Sequence, residues 1–123
     1  MSIGNRFILS GVVYALLGMS LGIVMGASHD FTLAPVHAHT NLLGWVSMVL
    51  FGLVYRSNSA MAAENLAKLQ FWIFNLALIT MMITLSMVVK GNESVVTILA
   101  ISEFAAVIGM LIFGWLVWKH RNG

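Results

Sequence analysis

Pro35-Val36-His37-Ala38-His39-Thr40-Asn41-Leu42-Leu43-Gly44-Trp45-Val46-Ser47-Met48-Val49-Leu50-Phe51-Gly52-Leu53-Val54-Tyr55-Arg56 is the stretch that decides how this chain is read. Two histidines open a run that is otherwise apolar and long enough to cross a bilayer. An imidazole in such a run is costly to bury without a partner. The remaining sequence reads as the cage around those two rings.

The composition agrees. The chain has 123 residues, of which 60% are hydrophobic and 8% are charged. A soluble domain carries about 25% charged residues. So little polar surface makes a bilayer, rather than water, the expected solvent. One short chain gives one domain, residues 1–123. The absence of cysteine excludes disulfides, thiolate metal sites and iron–sulfur clusters. A net charge of +2, scattered along the chain, does not suggest nucleic-acid binding. The first apolar run is longer than the core of a cleavable signal, and Gly18, Gly22 and Gly26 in it read as packing positions.

Around the central stretch the apolar runs fall at residues 6–27, 35–56, 69–89 and 95–118. Polar breaks separate them: Ser28-His29-Asp30, then Arg56 to Lys68, then Lys90-Gly91-Asn92-Glu93. Backbone polar groups must be satisfied within lipid, so the runs are expected to be helices. Short connections make them antiparallel neighbours in an all-α four-helix transmembrane bundle. Arg6, Arg56, Lys68, Lys119 and Arg121 then gather at one end and only Lys90 at the other. The positive-inside rule places both termini in the cytoplasm of a cell inner membrane, with His37 and His39 toward the outer, periplasmic face. Trp115, Trp118 and Tyr55 are expected in the aromatic belt of the cytoplasmic end.

Within the runs, Gly18-Met-Ser-Leu-Gly22-Ile-Val-Met-Gly26 doubles a small-xxx-small pattern. It serves either helix–helix packing or a groove against which a flat macrocycle lies. Pro35 suits a first helical turn, and Thr32 or Asp30 could cap it. Gly44 and Gly52 leave smooth places on the same helix. In the third run the polar side chains of Asn75, Thr80 and Thr84 are expected to bond across helices or back to their own carbonyls. Glu103 stands about nine residues into the fourth run, roughly 13 Å from its outer end at ~1.5 Å per residue. A carboxyl there is either functional, or protonated and hydrogen-bonded. The loop over residues 57–67 carries no chemical signal.

At ~100° per residue, His37 and His39 point roughly 200° apart on a helix and cannot chelate one ion together. They suit two separate sites, or one site shared between copies in a symmetric ring. Haem takes axial histidines and an apolar, small-residue lining. A bare copper or zinc ion would need three or four ligands, with His29 and methionine sulfur available to complete a Cu(I) set. Interfacial hydrogen bonds to lipid head groups or to Asp30 are a further reading of the two rings.

The motif His37-Ala38-His39-Thr40-Asn41-Leu42-Leu43-Gly44-Trp45, followed by Phe51-Gly52-Leu53-Val54-Tyr55, resembles the haem-binding helix of the haem-copper oxidase catalytic subunit. It is most similar to the tenth helix of C-type cytochrome c oxidases and of nitric oxide reductases. The likeness is specific in the second run and looser elsewhere, including Lys68 to Trp72. It implies that His37 and His39 are axial haem ligands, the first of a high-spin and the second of a low-spin haem. His39-Thr40-Asn41 also resembles the family's second helix, which supplies the other low-spin ligand. The family's subunit has twelve helices in three arcs of four around a pseudo-threefold axis, with ligands on the second helix of each arc. A four-run chain with its histidines in second place therefore resembles one arc, which implies a homotrimer.

The cofactor-binding set expected is His37, His39, Asn41, Gly44 and Trp45 from the motif, with Gly18 and Gly22 from the small-residue groove of the first run. The family's copper centre needs an adjacent histidine pair and a tyrosine, and this chain lacks that pattern, since its other histidines are His29 and His120. The expectation is a homotrimeric haem b membrane protein for electron transfer or for binding haem or a diatomic gas, without a complete oxygen-reducing centre. The alternatives are a copper-handling membrane protein using His37, His39, His29 and methionine, or a non-catalytic assembly partner of a larger oxidase.

Overall fold

The structure, a computed structural model, describes residues 1–123. It is entirely helical, with four helices long and apolar enough to cross a membrane. These are α1 (Ile3–Ser28), α2 (Ala34–Ser57), α3 (Asn65–Val89) and α4 (Val96–Lys119), the last entered through a 3-10 turn at Glu93–Val95. Three of the four begin within three residues of the apolar runs. The third begins four residues earlier, because its first turn, from Asn65, is polar yet helical. Apolarity marks where a helix enters lipid, not where its hydrogen bonds begin.

The ends are set by local chemistry. Ser2 caps α1 by accepting from the Asn5 N–H at 3.2 Å. His29 terminates it in the left-handed region (φ 55°), and Gly91 does the same kind of work after α3 (φ 98°). Leu33 precedes α2 without a side-chain cap, and Pro35 sits in its first turn. The capping role expected of Asp30 or Thr32 is not found. Asp30 instead folds its own loop, accepting from the Thr32 N–H at 3.0 Å and the Thr32 hydroxyl at 2.6 Å.

α1 and α2 form one hairpin, and α3 and α4 form another. Glycine brings the first pair together. A Cβ built on Gly52 would lie 2.6 Å from the Gly4 carbonyl oxygen, and one on Gly44 would lie 2.6 Å from Tyr14 Cβ. Gly11 faces Val49 and the Trp45 carbonyl, Gly18 faces Asn41, and Gly22 faces His37. Gly4, Gly11 and Gly18 recur every seventh residue, which keeps one narrow seam of α1 against α2 along most of its length. Gly26, the last member of the sequence pattern, meets nothing.

Aromatic side chains join the two hairpins in the half of the bundle that holds Arg6 and Arg56. Phe7 stacks on Tyr55 at 5.3 Å and meets Phe71 edge-on at 5.0 Å, while Phe51 meets Phe74 at 5.0 Å and Phe113 at 4.6 Å. Two buried hydrogen bonds cross the same junction, from the Tyr14 hydroxyl to Asn75 Oδ1 at 2.9 Å and from the Tyr55 hydroxyl to Gln70 Oε1 at 2.7 Å. Asn75 also donates back to the Phe71 carbonyl, and Thr84 to that of Thr80, as expected for the third run. Tyr55 is 1% exposed and so belongs to the core, not to the aromatic belt. Trp115, Trp118 and Trp72 do lie exposed toward the Arg/Lys-rich end, with the Arg121 guanidinium 4.0 Å over the Trp118 ring.

The loop between α2 and α3 is more structured than its sequence suggests. Asn58 caps a helical turn over Ser59–Ala62 by accepting from the Met61 N–H at 3.0 Å, and Met61 is buried. Glu64, at the start of α3, accepts from Lys119 Nζ at 2.7 Å and His120 Nε2 at 2.6 Å and so ties this loop to the end of α4. Hydrogen bonds from Lys119 and His120 hold the Glu64 carboxyl below the ordinary range, and those from Thr32 do the same for Asp30.

Two measurements follow from this packing. Gly44→Ala places a methyl against the rigid base of Tyr14 and should lower stability by about 1–3 kcal/mol, whereas Gly26→Ala should be neutral or slightly stabilising; thermal melts in detergent compare them directly. A carboxyl with a depressed folded pKa contributes stability above its unfolded pKa and loses it as the pH falls through the folded value. Stability should therefore decline on the acid side of the carboxylate range, and Glu64→Gln should flatten that decline while leaving the Asp30 share in place.

Candidate functional site

The two histidines stand in the first turns of α2, in regular α-helix over Ala34–His39. From Thr40 to Ser47 the helix widens to the π form. Side chains satisfy carbonyls in and around this stretch. The Thr40 hydroxyl donates to Val36 O at 2.7 Å, Asn41 Nδ2 to His37 O at 2.9 Å, and the Ser47 hydroxyl to Leu42 O, five residues back, at 2.9 Å. A π segment inside an α-helix is a local strain that recurs at functional sites. Nothing in the hydrophobic pattern announces it; the three donors at Thr40, Asn41 and Ser47 are its only sequence trace.

The rings diverge as the helical geometry requires. His37 turns toward α1, where its Nδ1 lies 2.7 Å from the Gly18 carbonyl oxygen and its edge rests on Gly22. His39 turns the other way, exposed, with its Nδ1 2.7 Å from the Pro35 carbonyl oxygen. A carbonyl oxygen can only accept, so in both rings Nδ1 carries the proton and a neutral imidazole keeps its lone pair on Nε2. Neither Nε2 has a partner within the chain. The 3.3 Å approach of Asn41 Nδ2 to His37 Nδ1 sets two donors side by side, so the Asn41 amide hydrogen bond is the one to His37 O.

Gly18 and Gly22 lie under Asn41 and His37 rather than under open space: a Cβ on Gly18 would meet Asn41 Nδ2 at 2.6 Å, and one on Gly22 would meet His37 Cε1 at 2.9 Å. Both glycines thus pack against α2 within one chain, on the helix that carries His37 and His39. Gly44 likewise faces Tyr14. Trp45 and Asn41 share the flank between α1 and α2, where they line a shallow cavity of about 330 Å³ with Val12, Ala15, Leu16 and Met19.

His39 opens onto the opposite flank. There a groove of about 330 Å³ lies between α2, α3 and α4, lined by Leu43, Phe74, Met81, Glu103, Val107 and Met110 among others. The sequence reading had no means of joining His39 to Glu103, because their meeting depends on how α4 is rotated against α3. The groove is at the small end of the ~300–1,000 Å³ of ligand sites and has a wall on one side only. His29 stands apart at the end of α1, and no three or more His, Asp or Glu side chains gather closely enough to hold a metal ion.

Fold and composition together define the class: a multi-pass helical membrane protein of four spans. Searches of protein-family models, of curated proteins and of solved structures found nothing that matches the chain.

Gly22→Ala tests the packing of His37. The added methyl should displace the ring and weaken its bond to Gly18 O, so the His37 Nδ1 proton should exchange faster with solvent, by about tenfold for each 1.4 kcal/mol lost, as read by NMR in detergent.

Proposed function

We propose that this chain is a membrane haem b-binding protein that acts in electron transfer or in binding of a diatomic gas. The observation that carries the reading is the pair of Nδ1–H···O=C bonds, each 2.7 Å, that leaves both Nε2 atoms free on opposite sides of one helix. A histidine that ligates a metal commonly has its other ring nitrogen held in this way, which fixes the tautomer and raises the basicity of the ligating atom. The donor set also fits, since two imidazoles pointing apart suit iron with axial ligands better than a bare ion needing three or four.

In this reading His37 and His39 would each hold iron through Nε2, at separate sites or at one site shared between copies. Haem would supply one-electron chemistry and, where only one histidine holds it, a place for a diatomic gas. The chain's own residues orient and shield. Gly18 O fixes the His37 ring, Pro35 O fixes the His39 ring, and the apolar walls of Leu43, Phe74, Met81 and Met110 exclude water. A groove walled on one side calls for a second copy, in keeping with a homotrimer. The distribution of basic residues supports both termini in the cytoplasm of an inner membrane and the histidines toward the periplasm.

Optical spectra of the purified protein, oxidised and dithionite-reduced after expression with haem supplied, test the reading. A Soret band with sharp reduced visible bands is expected for two axial histidines. A broad high-spin spectrum that moves with carbon monoxide would indicate one histidine per iron. His39→Ala should lower haem content at least severalfold or convert the spectrum. A colourless protein carrying stoichiometric copper would transfer the site to copper handling.

A further inference from the structure

Glu103 is the only acidic side chain well inside a span; Asp30, Glu64 and Glu93 all lie at helix ends or in loops. It is exposed, and it makes no hydrogen bond or ion pair within the chain, while Ile101, Phe104, Val107 and Ile108 are exposed around it on α4. A carboxyl turned outward into hydrocarbon is expensive, and such groups are normally met by a polar partner from inside a bundle. Within the chain Glu103 is bonded by nothing, although His39 lines the same groove, and a polar group from a second copy would satisfy it.

The opposite flank carries the complementary groups. Asn41 spends one amide hydrogen on His37 O, which leaves its second N–H and its Oδ1 free. Trp45, 39% exposed, has an indole N–H with no partner in the chain. Both residues line the α1–α2 cavity.

The heights match as well. Asn41 is the eighth residue of α2 counted from Ala34, and Glu103 is the eighth of α4 counted from Val96. Both helices start at the same end of the bundle, so at ~1.5 Å per residue each group lies about 10 Å in. His39 and Leu43 open on one flank and Asn41 and Trp45 on the other, built on the same turns of α2.

We infer that a second copy of this chain covers the groove, with the α2–α3–α4 face of one copy docked on the α1–α2 face of the next and Glu103 hydrogen-bonded by the neighbouring copy's Asn41 and Trp45. The inference rests on the reading of the chain as an oligomer and is independent of haem. Unlike faces meet at equal height, so rotation about an axis along the membrane normal closes them into a ring without a step. Each two-copy contact joins a groove to a cavity and forms one chamber, lined by His39, Leu43 and Glu103 from one copy and Asn41 and Trp45 from the next.

A cysteine pair tests the contact in a chain that has none of its own. Leu16→Cys with Val107→Cys, oxidised in native membranes, should give covalent multimers that stop at the ring size, while each single variant stays monomeric on a denaturing gel. Glu103→Gln in this background should keep the cross-linking yield, and Glu103→Leu should reduce it severalfold. Monomers from the double-cysteine protein would mean that lipid fills the groove and would overturn the inference. Dimers from Leu16→Cys alone would show like faces meeting and would overturn it too. Visible spectra of the same samples separate the two claims: multimers without a Soret band sustain the docking and sink the haem reading, and a Soret band with monomers does the reverse.

Discussion

The close approach of α1 to α2 is the constraint on which the rest of the structure depends. At Gly4, Gly11, Gly44 and Gly52 a methyl group would meet backbone or the rigid part of a side chain, and at Gly18 it would meet the Asn41 amide. In lipid, helices gain little by hiding apolar surface from one another, so contact has to come from dispersion at short range. The seam supplies that contact and sets the rotation of α2. Once Gly44 is fixed against Tyr14 and Asn41 over Gly18, His37 faces α1 and His39 faces away from it.

The rotation of α2 gives the two flanks of the bundle different chemistry. The flank beside α1 holds neutral donors and acceptors, Asn41 and Trp45, whereas the flank toward α4 holds an imidazole and the one carboxyl within a span. The π segment between Thr40 and Ser47 lies where both flanks are built. The Ser47 hydroxyl bonds the Leu42 carbonyl within it, and Thr40 and Asn41 bond the carbonyls just before it, in keeping with the need to satisfy backbone groups in a bilayer. Polar atoms in this region therefore serve the backbone first; His37 Nε2 stays beside Gly22 of α1, whereas the His39 ring and the Glu103 carboxyl are exposed.

The other half of the molecule is closed. The interlocked rings of Phe7, Phe51, Tyr55, Phe71, Phe74 and Phe113 fill the space between the hairpins, and the Tyr14–Asn75 and Tyr55–Gln70 bonds fix their register. Outside the membrane level, Glu64 bonded to Lys119 and His120 secures the same end. A bundle packed tightly at one end and grooved at the other keeps its rigidity away from the histidines.

The sequence by itself determined the number of spans, their antiparallel order, the gathering of basic residues at one end and the divergence of His37 from His39. Each of these depends on composition or on a fixed helical rise and rotation, quantities that are local to the chain. The packing role of Gly18 and Gly22 was legible as one of two readings, because a small-residue stripe states that something approaches but not what. Only the tertiary structure decided that Asn41 and His37 occupy that stripe, that Tyr55 is core rather than belt, and that Glu64 reaches Lys119 and His120. It alone placed Glu103 in the groove with His39. These outcomes depend on the relative rotation of helices far apart in sequence, which is settled by the sum of many short-range contacts rather than by any periodicity a single helix carries.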